Sequence, residues 1–139
     1  MEIIIGSDHA GFDLKSFIID KFEDINFTDV GPYYSDSVDY ADFAHQVAKE
    51  VNDNNKVGIL ICGSGEGVSM TANKYQKVRA ALVWNEEISK LSRQHNDANI
   101  LCLPARFISR DEAISIIKAF LNTEFEGGRH LKRINKIPC

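Results

Sequence analysis

Apolar positions along the chain follow two alternating rhythms. Short uninterrupted apolar runs predict buried strands, and apolar residues three and four apart predict helices. Ile3–Ile5 opens the series as a strand ending at Gly6-Ser7-Asp8-His9. A helix is predicted from Gly11 to about Phe22, with Leu14, Phe17, Ile18 and Phe22 on one face. Phe27–Val30 predicts a second strand, ended by Gly31-Pro32 and followed by a polar, turn-prone loop, Tyr33–Asp39. Tyr40–Val51 predicts a helix whose apolar side carries Phe43, Ala44, Val47, Ala48 and Val51. Val57–Cys62 is a strongly apolar strand, and Gly63-Ser64-Gly65-Glu66-Gly67 turns it into a helix from Val68 to about Tyr75. A fourth strand at Ala80–Trp84 precedes a helix over Glu86–Gln94. Ile100–Leu103 is the fifth strand, closed by Pro104. The helix Asp111–Leu121 buries Ala113, Ile114, Ile117, Phe120 and Leu121, with Ser109 or Arg110 just ahead and an acidic first turn.

Strand and helix alternating in this way predict an α/β fold with a mostly parallel sheet and helices on both faces. Ligands of such sheets bind beyond the carboxyl ends of the strands. Unusual polar residues gather there: Ser7-Asp8-His9, Cys62–Gly67, Asn85 and Arg106. Gln94–Asp97, at a helix end, forms a separate polar cluster.

Composition narrows the class. The chain of 139 residues shows no linker, repeat or low-complexity stretch and suits a single domain, 1–139. A net charge of -4 speaks against a general nucleic-acid binder but leaves room for a local basic phosphate pocket. No apolar run approaches membrane-spanning length, and the start of the chain lacks a signal-peptide pattern, so a cytoplasmic protein is expected. Cys62, Cys102 and Cys139 are odd in number and widely spaced, which gives no disulfide framework. His9, His45, His95 and His130 form no close metal-ligand motif, so no metal is expected.

Cys62–Gly67 is the most informative segment. A cysteine between a strand end and a helix start faces free backbone N–H groups and a favourable dipole, both of which favour thiolate. Glycines let the backbone approach a ligand and aim N–H groups at developing negative charge. A base beside such a cradle suits proton abstraction next to a carbonyl. A buried cysteine before a tight glycine turn fits the same residues. No lysine follows as in a phosphate-binding Walker loop, and the loop stands in the third strand–helix unit rather than the first, where a dinucleotide fingerprint belongs. Val68 occupies the position where a cysteine phosphatase would need arginine.

Other segments carry two readings each. His95 could exchange protons with a sugar hydroxyl and open a furanose ring, or simply close a helix. At the first strand end, Asp8 could accept hydrogen bonds from sugar hydroxyls and His9 bind phosphate, or Asp8 could cap the helix. Asp39-Tyr40 fits a substrate-side hydrogen-bond group or an N-cap. In Gly127–Arg133, a helical Arg129 and Arg133 would share a face and could clamp one phosphate, with Arg106 a third candidate; a solvated basic tail is the plainer alternative.

Taken in order, Gly6-Ser7-Asp8-His9-Ala10-Gly11, Asp39-Tyr40, Cys62–Gly67 with Ala72-Asn73-Lys74, Arg93–Asp97 and Glu126–His130 resemble the ribose-5-phosphate isomerase B family over essentially the whole chain. The resemblance implies a Rossmann-like three-layer sandwich with five strands and no cofactor or metal. It implies a homodimer, or a dimer of dimers, with sites between subunits and the segment from about 122 to 139 reaching the partner. The implied reaction interconverts ribose 5-phosphate and ribulose 5-phosphate through a cis-enediolate. Cys62 would be the base, Ser64 would assist proton movement between oxygens, and His95 would open the ring. Amides of Gly63, Gly65 and Gly67 would hold the enediolate, and Asp8, Tyr40 and Asn96 the sugar hydroxyls. His9 and Arg106 would bind phosphate, with Arg129 and Arg133 from the partner chain.

Some residues depart from the family pattern. Ser7 stands where many members have cysteine, and Ser64 where threonine is usual. Glu66 is unusual in the loop and is expected to face solvent, since an inward carboxylate would oppose a thiolate. Galactose 6-phosphate or allose 6-phosphate isomerisation is the nearest rival activity. A non-catalytic sugar-phosphate sensor and a redox protein using Cys62 are rivals of a different class.

Overall fold

The computed structural model describes residues 1–139. Five strands and six helices follow one another as β1 (Glu2–Ser7), α1 (Phe12–Lys21), β2 (Asn26–Asp29), α2 (Tyr40–Asn54), β3 (Val57–Cys62), α3 (Glu66–Ala72), β4 (Ala80–Leu82), α4 (Glu86–Gln94), β5 (Ile100–Pro104), α5 (Arg110–Asn122) and α6 (Arg129–Ile134). All strand pairs are parallel, in the order β2-β1-β3-β5-β4. The expected α/β sandwich is present, and its sheet is wholly rather than mostly parallel.

Side chains leave a strand alternately to its two faces, so one apolar run supplies two cores. Ile3, Ile5, Ile59, Ile61, Leu101 and Leu103 join Leu14 and Ile18 of α1 and Ile116, Ile117 and Phe120 of α5. Ile4, Leu60, Cys62, Ile100 and Cys102 join Val47, Ala48 and Val51 of α2 and Val68 and Ala72 of α3. Each fully buried isoleucine or leucine contributes about 2–3 kcal/mol of transfer free energy. Cys62 thus sits on the α2/α3 side, at the carboxyl end of a central strand.

Boundaries move where apolar signals fade. α2 runs to Asn54 and ends at Asn55 in a left-handed conformation, φ 52. Its polar last turn carries no apolar residue to announce it. Helix α3 starts two residues earlier than expected, at Glu66, and ends at Ala72 rather than Tyr75. β4 stops at Leu82, two residues short of Trp84. Ser109 begins α5 with a capping box: its side chain accepts from Glu112 N–H, and the Glu112 carboxylate accepts from Ser109 N–H. No helix is long and apolar enough to cross a membrane.

Candidate active site

The direction in which successive strands are added to the sheet reverses between β1 and β3, since β2 lies beyond one and β5 and β4 beyond the other. Ligands of open parallel sheets bind beyond such a switch point, and the loops after β1 and β3 lie on its two sides. Asp8 N–H donates to Ile61 O at 3.1 Å, which holds the two loops side by side.

Within the β3–α3 loop, the Gly65 N–H donates to Cys62 Sγ at 3.1 Å. Such a bond strengthens as the sulfur gains negative charge. Gly65 has φ +75 and lies against Leu82 and the backbone of Leu103 and Pro104, so a side chain there would be both strained and blocked. Arg106 passes over Gly63, where a Cβ would lie 3.1 Å from Nη1. Tyr40 lies over Gly67, where a Cβ would meet its ring at 2.7 Å. The glycines therefore admit Arg106 and Tyr40 to the loop that holds Cys62. Ser64 is exposed at the mouth, its Oγ accepting from Glu66 N–H at 3.3 Å. Glu66 is exposed, as expected.

On the β1 side, Asp8 is buried and its Oδ1 accepts from Gly11 N–H at 3.0 Å, leaving Oδ2 for another donor. The turn role and a binding role are therefore compatible. His9 Nδ1 accepts from Val38 N–H at 3.2 Å. A backbone amide can only donate, so the neutral ring carries its proton on Nε2 and presents a donor. Asp39 is the N-cap of α2 without a side-chain capping bond.

His95 and Asn96 lie elsewhere. Helix α4 returns from the carboxyl end of β4 to the amino end of β5, and His95 caps it. Asn99 O accepts from Gly58 N–H at 2.9 Å, which fixes this loop at the start of β3. The length of β3, roughly 15 Å at about 3.3 Å per residue, separates it from Cys62. His95 also stacks on His130 of α6, ring centroids 4.4 Å apart and planes 14° from parallel. Arg129 and Arg133 of that helix are exposed, and their guanidinium groups have no hydrogen-bond or ion-pair partner within the chain. Cys62, Ser64, Asp8, His9, Tyr40 and Arg106 thus meet at one end of the sheet, and His95, Asn96, Arg129 and Arg133 gather at the other.

Sequence reasoning assigned no individual role to the residues that shape the second cluster. Arg93 Nη1 donates to Asp97 Oδ1 at 2.7 Å and to Ala98 O at 2.6 Å, and Arg93 Nε donates to Thr123 O at 3.2 Å. Arg79 reaches Asp97 from the other side, its Nη2 3.2 Å from Oδ2. These bonds hold Asp97 at φ 45 and shape the His95–Asn96 turn. Trp84 and Phe107, also passed over, line a cleft with Ser64, Glu66, Leu82 and Pro104. Exposed aromatics beside a polar loop were the available signal.

His95, Glu126 and His130 bring their ligand atoms within 4.8 Å of one another. A metal binds in the plane of each imidazole, about 2.0–2.1 Å from nitrogen. Two near-parallel stacked rings share no such point, so this arrangement is not a chelate. Cys102 is no resolving partner for Cys62 either. It lies opposite Leu60 in the strand register, a diagonal neighbour of Cys62, and is fully buried. Burial pushes its thiol well up, and the nearby Cys62 adds to this against a hydrogen bond from Ser69.

Residues 3–137 match the Ribose/Galactose Isomerase family. The chain belongs to that family. Among its relatives, the probable ribose-5-phosphate isomerase B of Mycoplasma genitalium is 50% identical over 140 residues, covering 97% of this chain and 92% of that protein. The ribose-5-phosphate isomerase B of Escherichia coli is 39% identical over 139 residues, covering 98% and 93%. The Mycoplasma genitalium ribose-5-phosphate isomerase B structure with bound ribulose-5-phosphate superposes with a TM-score of 0.94 at 50% identity, covering 98% and 93%. That of Thermotoga maritima gives 0.96 at 44% identity, covering 99% and 97%.

Proposed function

We propose that this family member interconverts ribose 5-phosphate and ribulose 5-phosphate, with Cys62 as the base. The observation that carries the reading is the Gly65 amide directed at Cys62 Sγ inside a glycine cradle at the switch point of the sheet. The relatives' names supply the substrate class.

The first step opens the furanose. His95 takes the proton of the anomeric hydroxyl, C1=O1 forms as the C1–O4 bond breaks, and O4 receives a proton. Thiolate Cys62 then removes the C2 proton, and the C2–H electron pair becomes the C1=C2 bond of an enediolate whose charge rests on O1. Amides of Gly63, Gly65 and Gly67 face that charge, where a single donor is worth about 3 kcal/mol. Ser64 assists transfer of the O2 proton to O1, and Cys62 returns its proton to C1. Asp8, Tyr40 and Asn96 hold sugar hydroxyls. His9, through Nε2–H, and Arg106 hold the phosphate.

Because the two clusters stand at opposite ends of one sheet, a complete site takes His95, Asn96, Arg129 and Arg133 from a second copy of the chain. Residues from about 122 to 139, with α6, belong to that contact, and the whole chain acts as one catalytic domain. Ribulose 5-phosphate formation from ribose 5-phosphate by purified protein in excess chelator tests the reading. Turnover is expected without added metal, and its absence in folded protein refutes it.

A further inference from the structure

His130 is buried, 6% exposed, although histidine on a short terminal helix has no need of burial. Its ring lies flat against His95, 4.4 Å centroid to centroid. Its Nε2 lies 3.5 Å from Glu126 Oε2, a carboxylate at the edge of the stack. Glu126 N–H in turn donates to Gln94 O at 3.1 Å, tying the backbone ahead of α6 to the residue just before His95. Two segments distant in sequence are therefore joined twice, once through backbone and once through stacked rings.

We propose that His130 is a positioning residue for His95, an inference that rests on the isomerase reading above. One face of the His95 ring is covered by His130, which fixes the ring plane and leaves the nitrogen-bearing edge to meet the sugar. Glu126 stands at the edge of the covering ring. His130 also shares α6 with Arg129 and Arg133, the two exposed arginines without a partner in the chain. A phosphate held by those arginines bears on the same helix that carries the covering ring, so docking of the phosphate and orientation of the ring-opening imidazole are mechanically joined.

Ring opening and enediolate formation can be read separately. Ribulose 5-phosphate has its C5 oxygen esterified and cannot close to a furanose, so wash-in of solvent deuterium at its C1 needs Cys62 but not His95. In His130→Ala, kcat from ribose 5-phosphate is expected to fall by about tenfold or more while deuterium wash-in stays within about twofold, as befits lost orientation of an acid–base group. His130→Phe restores a flat ring and is expected to recover most of kcat. The proposal is overturned if His130→Ala leaves kcat unchanged, if turnover and wash-in fall together, or if His130→Phe behaves as His130→Ala does. Wild-type protein that shows neither turnover nor wash-in would instead remove the isomerase reading itself.

Discussion

Lys15 Nζ, on a side chain 1% exposed, lies 2.7 Å from Asp29 Oδ1. The same nitrogen donates to Pro32 O at 2.6 Å, and Asp29 Oδ1 also accepts from Gly31 N–H at 2.8 Å. Tyr33 donates its hydroxyl to Asp29 O at 2.8 Å. One buried ammonium thus anchors the start of the loop that later supplies Val38 to His9 and leads into Tyr40. Lys15→Met removes the cation and leaves Asp29 partly exposed, so a loss of about 2 kcal/mol is expected in urea unfolding, below the range for a fully buried pair. Lys15→Met with Asp29→Asn should lose less than the sum of the single changes. An unchanged midpoint in the single variant would contradict the anchor.

Cys62→Ala removes the proposed base and keeps the cradle. Turnover should become undetectable, while ribose 5-phosphate binding followed by calorimetry stays within about threefold, since binding and proton transfer use separate groups. Binding lost together with turnover would make Cys62 a structural residue.

Two inactive variants should repair each other. Cys62→Ala chains keep a sound His95, and His95→Ala chains keep a sound Cys62. Equal mixtures refolded together should regain about a quarter of wild-type activity: half the dimers are mixed, and one of their two sites is whole. Mixtures as inactive as their parents would place both residues in one chain's site.

Ser7 is fully buried, and its Oγ has no hydrogen-bond partner. An unsatisfied buried hydroxyl costs about 1–3 kcal/mol. Ser7→Ala or Ser7→Cys should therefore raise Tm by about 3–10 °C with kcat unchanged. A lower Tm would mean that the hydroxyl has a function.

Alkylation should rank the three thiols. Cys139 is exposed, Cys62 lies at the site, and Cys102 is sealed in the core with its thiol pushed up and therefore neutral. Iodoacetamide followed by mass spectrometry should modify Cys139 first, then Cys62 with loss of turnover, and Cys102 only after unfolding. Modification of Cys102 in active protein would show that this core opens.

The layout of strands and helices was legible because each strand is a compact apolar run and each helix has a clear apolar face. The first cluster was legible too, since Asp8, His9 and Cys62–Gly67 directly follow strands, and strand ends in a parallel sheet share one edge. What could not be read depends on pairs far apart in sequence. The burial of Lys15 is one case, because nothing near it in sequence announces Asp29 or Pro32 O. His95 was visible as a histidine at a helix end and His130 as part of the basic tail segment, but only the fold stacks them. Arg93 looked like part of a polar run, whereas its guanidinium bonds to Asp97, Ala98 and Thr123 build the turn beneath His95.

The distance between Cys62 and His95 sets a rate law as well as a shape. On the isomerase reading proposed above, the chain keeps its proton-transfer base and its ring-opening imidazole at opposite ends of one sheet and has no active form when alone. Specific activity should then fall in proportion to concentration below the dissociation constant of the pair, and total rate should rise with the square of concentration. On that reading dilution is an off switch, and the cell's dose of the protein enters the flux twice.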